Sequence, residues 1–114
     1  MNALFRDENN NLVVNVTFNI GYDSEVVPRG VFNVVKANPA LYCTKGNNFN
    51  GNVALINRGT CSIPTKIQNA IEQGASGIII VSYESLSITP YFGSASPIWF
   101  GGTPKEYILS NWRE

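Results

Sequence analysis

At 114 residues the chain has the length of one domain, with enough material for a single hydrophobic core. Its eight Lys and Arg balance eight Asp and Glu, so these residues are expected to touch neither nucleic acid nor an anionic membrane surface. No apolar run approaches the roughly 20 residues of a membrane span, and the N-terminus lacks the basic and then apolar stretch of a signal peptide.

In chain order, Leu12 to Ile20 alternates with a period of two. Val14, Val16, Phe18 and Ile20 share one face, and Val13, Asn15, Thr17 and Asn19 the other, which predicts a strand with one buried face. Asn15-Val16-Thr17 is a glycosylation sequon, with Asn15 on the polar face. Gly21 to Gly30 reads as a polar loop. Val31 to Ala37 is β-branched and aromatic and predicts a second strand. Asn38 to Asn52 has the Gly, Asn and Pro content of a long loop and carries Cys43.

Val53 to Ile56 predicts a short buried strand. Ser62 then caps a helix, with Pro64 in the first turn, where its missing N–H costs nothing. Ile63, Ile67, Ala70 and Ile71 fall on one helical face, and Lys66, Gln68, Asn69, Glu72 and Gln73 are expected to face water. Gly74 stops the helix. Gly77 to Val81 is a continuous Ile/Val run, the pattern of a parallel strand covered on both faces. Residues 53–82 therefore read as a βαβ crossover of the usual right hand. Ser82 to Pro97 is a loop, and Pro97 to Phe100 a further short strand. Thr103, Pro104 and Glu106 form a capping box for a final helix, with Tyr107, Ile108 and Trp112 on its apolar side. The fold class is α/β with two helices.

Catalytic groups are missing. The chain has no histidine, which removes Ser-His-Asp and Cys-His arrangements, the usual zinc sites and the commonest general base. Ser62 and Lys66 are four apart and miss the S-x-x-K spacing. No phosphate-cradling glycine motif occurs, and Asp7 and Asp23 are the only aspartates, too few for a calcium loop. The expectation is a chain that is not an enzyme by itself and holds no cofactor and no metal.

Cys43 and Cys61 both sit in predicted loops that can converge beside the strand starting at Val53. A disulfide there would stabilise by about 3 kcal/mol in the chain-entropy model; the other reading is two buried thiols in a reducing compartment. Arg58 precedes Gly59 at the turn that leaves a strand. It either offers its guanidinium fork to a partner or holds loop carbonyls in place. Tyr83, Tyr91, Phe92 and Trp99 surround the 82–97 loop. Aromatics beside a loop suit an interface, although core packing is the default for Trp99.

Three pieces of the chain together resemble the protease-associated (PA) domain family over most of its length. Gly30-Val31-Phe32 through Ala37-Asn38-Pro39-Ala40-Leu41-Tyr42-Cys43 is similar to the family's G-x-(apolar)…A-x-P…C segment. Val53-Ala54-Leu55-Ile56-Asn57-Arg58-Gly59-Thr60-Cys61-Ser62 is similar to its A-L-(I/V)-x-R-G-x-C-(S/T) core. Lys66, Asn69-Ala70, Gly74-Ala75 and Ile78-Ile79-Ile80 resemble the K-(I/V)-x-N-A…G-A-x-(apolar) run that follows. Val14-Asn15-Val16-Thr17-Phe18 also looks like the first strand of such domains in membrane-anchored RING ubiquitin ligases of the Goliath type.

The resemblance implies a swivelling β/β/α fold, a β-barrel or sandwich flanked by two helices. It also implies a non-catalytic, luminal or extracellular module that binds protein or peptide, as in vacuolar sorting receptors, peptidases and RING ligases. The compartment would be the cell exterior or the lumen of endosome, vacuole or Golgi. The family's motif cysteines commonly pair, which supports Cys43–Cys61. In the family's sorting receptors the turn carrying Arg-Gly-x-Cys contributes to cargo binding, which would correspond to Arg58, Gly59 and Thr60; the residue reading adds Tyr83, Tyr91 and Phe92 as a binding surface and Asn15 as the glycan acceptor. One PA-like domain over 1–114 is then expected to be excised from a longer secretory-pathway protein, either a receptor or a regulatory part of a protease or ubiquitin ligase. Two departures stand out: Ile63 replaces a usual aromatic, and the family adds a final strand where this chain stops. Either that strand is cut off, or the N-terminal segment replaces it, or a sheet edge is left open, and an open edge would invite strand addition.

Overall fold

Seven strands and one helix follow one another in the computed structural model, which describes residues 2–6, 12–82 and 88–104. In chain order they are β1 (Asn2–Arg6), β2 (Leu12–Thr17), β3 (Asn19–Ile20), β4 (Val34–Lys36), β5 (Val53–Asn57), α1 (Ile63–Glu72), β6 (Gly77–Val81) and β7 (Trp99–Thr103). β1 and β2 pair antiparallel as a two-stranded sheet. The other five strands form one mixed sheet in the order β3-β7-β6-β5-β4. Within it β4 to β7 run parallel, and β3 lies antiparallel against β7. The chain is a mixed α/β domain.

The β5–α1–β6 crossover is as the apolar pattern predicts. β5 and β6 are parallel neighbours in register from Val53↔Gly77 to Asn57↔Val81. Alternate residues of the central strands enter two separate cores. Ala54, Ile56, Ile78, Ile80 and Phe100 face Ile67 and Ala70 of α1, with Ala37, Tyr42 and Phe49 from the β4–β5 connection. On the opposite face Val53, Leu55, Ile79, Val81 and Trp99 pack with Phe18, flanked by Val27 and Val34. Covering on both faces explains the missing polar alternation, and each fully buried Ile or Val contributes about 1.5–3 kcal/mol. β6 opens on Gly77 because a Cβ there would collide with the Trp99 indole on the neighbouring strand.

Four expectations change. The strand predicted over Leu12–Ile20 breaks at Phe18, so that β2 pairs with β1 and β3 pairs with β7. Phe18 turns into the core over the bare backbone of Gly101, while Ile20, expected on the same face, is exposed at the sheet edge. The strand predicted over Val31–Ala37 is only Val34–Lys36. Its pairing begins where Val53 donates to the Asn33 carbonyl at 3.0 Å, and Val31 before it is 97% exposed. The strand predicted at Pro97–Phe100 is Trp99–Thr103, and Thr103, expected to cap the final helix, is a buried strand residue opposite Val81. The helix expected after it falls on residues 105–114, outside the described residues. Finally, β1 was not anticipated, since Asn2–Arg6 offers too short a pattern to distinguish from a loop.

Candidate functional site

The turn after β5 is fixed from both sides. The Arg58 amide donates to the Val81 carbonyl at 2.9 Å, which carries the β5–β6 pairing one residue past the strand. Gly59 (φ +127) and Thr60 (φ +67) then reverse the chain, and the Cys61 amide closes onto the Gly59 carbonyl at 2.9 Å. This is a three-residue turn centred on Thr60. A β-branched residue at positive φ is strained by about 1–3 kcal/mol and persists only where its surroundings over-determine it. Here they do. Cys61 is bonded to Cys43 with Cα atoms 5.7 Å apart. Directly after it, Ser62 caps α1, its Oγ accepting from the Thr65 amide at 3.3 Å. Thr60 is exposed, while Arg58 and Gly59 are half-buried and Arg58 is engaged within the chain.

The partner loop, residues 37–52, is built on its own polar contacts. The Asn38 amide donates to Asn47 Oδ1 at 2.8 Å, the Tyr42 amide to the Pro39 carbonyl at 3.0 Å, and Tyr42 Oη to the Asn47 carbonyl at 2.6 Å. Buried Tyr42 packs against Phe49 with ring centroids 5.2 Å apart. Side chains of α1 finish the job. Lys66 Nζ donates to the Leu41 carbonyl at 2.6 Å, Asn69 Nδ2 to the Tyr42 carbonyl at 3.1 Å, and Gln73 Nε2 of the C-cap to the Gly46 carbonyl at 3.3 Å.

These three residues were expected to face water. Asn69 and Gln73 are instead half-buried, and Lys66 is wholly buried. The reason is the irregular loop, whose carbonyls have no sheet partner and need donors. Burial pushes the Lys66 ammonium below its ordinary range. A signal was present in the sequence: Lys66 lies three residues after Ile63 and four before Ala70, inside the apolar stripe rather than opposite it.

The aromatic loop is held differently. The Tyr22 amide donates to the Pro90 carbonyl at 2.9 Å, the Gly93 amide to Asp23 Oδ2 at 3.1 Å and the Ser96 amide to the Asp23 carbonyl at 2.9 Å. Phe92 is half-buried over Phe100, with ring centroids 6.5 Å apart. Together with Pro64, Thr65, Gln68 and Asn69 of α1 it lines an open groove of about 400 Å³. Tyr91 is half-exposed. Trp99 belongs to the core, against Phe18 and Phe32.

The structure thus joins Phe92 to the first turns of α1, directly after the Arg58 turn, but Arg58, Gly59 and Thr60 do not line the groove. Tyr83 lies outside the described residues; Asn15 sits in β2, where only the backbone is described. Among the described residues no cluster of three or more His, Cys, Asp or Glu is placed to hold a metal. No described helix is long and apolar enough to cross a membrane.

The model of the PA domain family matches residues 25–105, a span that takes in the 37–52 loop, the Arg58 turn, α1, β6 and β7. Among solved structures, the zinc aminopeptidase BSAP from Bacillus subtilis superposes with a TM-score of 0.68 at 24% identity over 85% of this chain. An aminopeptidase from Aneurinibacillus sp. strain AM-1 gives 0.52 at 25% identity over 80%. The chain spans 25% of the length of each of those two proteins. No curated protein matches it in sequence.

Proposed function

The chain belongs to the PA domain family, and on that premise we propose that it is a non-catalytic module that binds an extended segment of another protein outside the cell or in the secretory lumen. The observation that carries this reading is the preorganised turn. Thr60 is held exposed in a strained conformation by a disulfide, a strand pair and a helix cap, so little ordering entropy is lost when a partner engages it. The half-exposed Tyr91, and Phe92 in its groove against α1, add an aromatic surface beside that helix. In this reading Arg58 positions the turn and reaches the partner's carbonyl or carboxylate groups, and Tyr83 extends the aromatic surface. The disulfide accords with an oxidising compartment, and Asn15 is the proposed glycan acceptor there. No cofactor, nucleic acid or membrane contact enters the proposal, and the swivelling β/β/α arrangement is proposed for the complete domain.

A second reading is favoured by the solved relatives. The chain matches one quarter of two aminopeptidases, which suits a regulatory part of a larger protease whose activity lies elsewhere. A sorting receptor or a Goliath-type RING ligase is a further possible host. Photo-crosslinkers placed singly at Thr60, at Tyr91 and at Lys45, which pairs with Glu72 at the opposite end of α1 from the turn, test the site. Partner capture is expected at the first two positions and not at Lys45; equal capture at all three would sink the assignment. A peptidase or RING segment in the full open reading frame decides between the hosts.

A further inference from the structure

Beside the disulfide lies a buried ammonium. Lys66 is wholly buried, and its Nζ meets the Leu41 carbonyl at 2.6 Å and Cys43 Sγ at 3.9 Å. Among the described residues no carboxylate pairs with it. A buried ammonium satisfied only by neutral groups is costly, and a nearby anion relieves that cost. Opening the Cys43–Cys61 bond supplies such an anion at Cys43.

We infer that this bridge is a thiol–disulfide exchange site with a built-in direction, in which a thiol reductant attacks Cys61 Sγ and Cys43 departs as a thiolate beside the Lys66 ammonium. The attacking thiolate forms a new S–S bond with Cys61 as the Cys43–Cys61 bond breaks, and the bonding pair leaves on Cys43 Sγ. If the reductant is a dithiol, its second thiol gives up a proton and attacks its own sulfur in the mixed disulfide. That step releases Cys61 as a thiolate, which takes up a proton, and leaves the reductant as an oxidised disulfide. Two electrons pass from the dithiol to the protein.

The direction follows from the leaving group, because a stabilised thiolate departs faster. Cys43 and Cys61 are both half-buried as residues. Cys61 has a competing advantage in preceding the N-cap of α1, but a helix N-terminus offers about half an elementary charge, screened where it meets solvent. Lys66 offers a full charge in a buried setting. Opening the bridge also removes the covalent tie that holds the strained Thr60 turn to the 37–52 loop, while the Leu41 and Tyr42 carbonyls stay bonded to α1. The exchange chemistry does not depend on what the turn binds.

The test is brief exposure of the oxidised full chain to excess glutathione, an acid quench, and peptide mass mapping of the mixed disulfides. Glutathione is expected on Cys61 over Cys43 by about tenfold, with the ratio near one in the urea-unfolded chain. Lys66→Met is expected to bring the native ratio toward one, and Lys66→Arg to keep the bias. A native wild-type ratio near one, an excess on Cys43, or a folded Lys66→Met variant that keeps the bias overturns the inference. Should Lys66→Met fail to fold, the native and unfolded wild-type ratios decide alone.

Discussion

The Arg58 turn and the 88–97 loop both flank α1, yet they are held by different means. The turn is tied within its own βαβ unit and by one covalent bond: the β5–β6 ladder at Arg58, the closing amide and the disulfide at Cys61, the cap at Ser62. The loop is tied by hydrogen bonds to Tyr22 and Asp23, about 70 residues earlier, and by one ring contact onto β7. The first arrangement stores strain and stays rigid. The second depends on the rest of the fold being assembled and is expected to open more readily.

The largest way to break this contrast is to remove the bridge. Replacing both cysteines by serine is expected to cost about 3 kcal/mol, read as a lower midpoint in urea unfolding; an unchanged midpoint would show that the sheet and cap suffice. Ser62→Ala should cost about 1 kcal/mol by leaving the Thr65 amide without its cap, with faster hydrogen exchange in the first turn of α1. Asp23→Ala should cost a similar or smaller amount, about 0.5–1.5 kcal/mol, with faster exchange at Gly93 while the amides of the Arg58 turn keep their protection. Faster exchange in both regions would mean that they open as one unit. Thr60→Gly is expected to stabilise by about 0.5 kcal/mol, because relief at φ +67 slightly exceeds the extra unfolded-chain entropy.

The smallest effect is one of pH. The folded pKa of Lys66 lies below its ordinary value of 10.5, so between the two the unfolded chain binds more protons. Stability attributable to this group therefore rises as pH climbs through the depressed value and levels off above 10.5. Urea midpoints across alkaline pH should show this rise in the wild type and lose it in Lys66→Met; parallel profiles would remove Lys66 as its source.

Wherever neighbours along the chain decide the outcome, the sequence was readable. Ser62, Pro64, the Ile63–Ile71 stripe and Gly74 specify α1 within the helix itself, and the unbroken Ile/Val runs mark β5 and β6 as buried. The Arg58-Gly59-Thr60-Cys61 turn was legible for the same reason. Legibility ended where a residue's fate depends on a distant neighbour. Phe18 goes inward because Gly101 leaves room for its ring, and β4 begins at Val34 because Val53 begins there. The strand read at Pro97–Phe100 runs instead from Trp99 to Thr103, where β6 lies on one side and β3 on the other.

By itself, then, the sequence determined the βαβ unit, its capped helix and the turn between them, since periodicity, capping and glycine placement act over a few residues. Only the tertiary structure decided which cysteine environment carries a charge. Lys66 reads as a solvent-facing residue until the 37–52 loop folds over it. The loop's carbonyls then need a donor, and the burial that results puts an ammonium 3.9 Å from Cys43 Sγ.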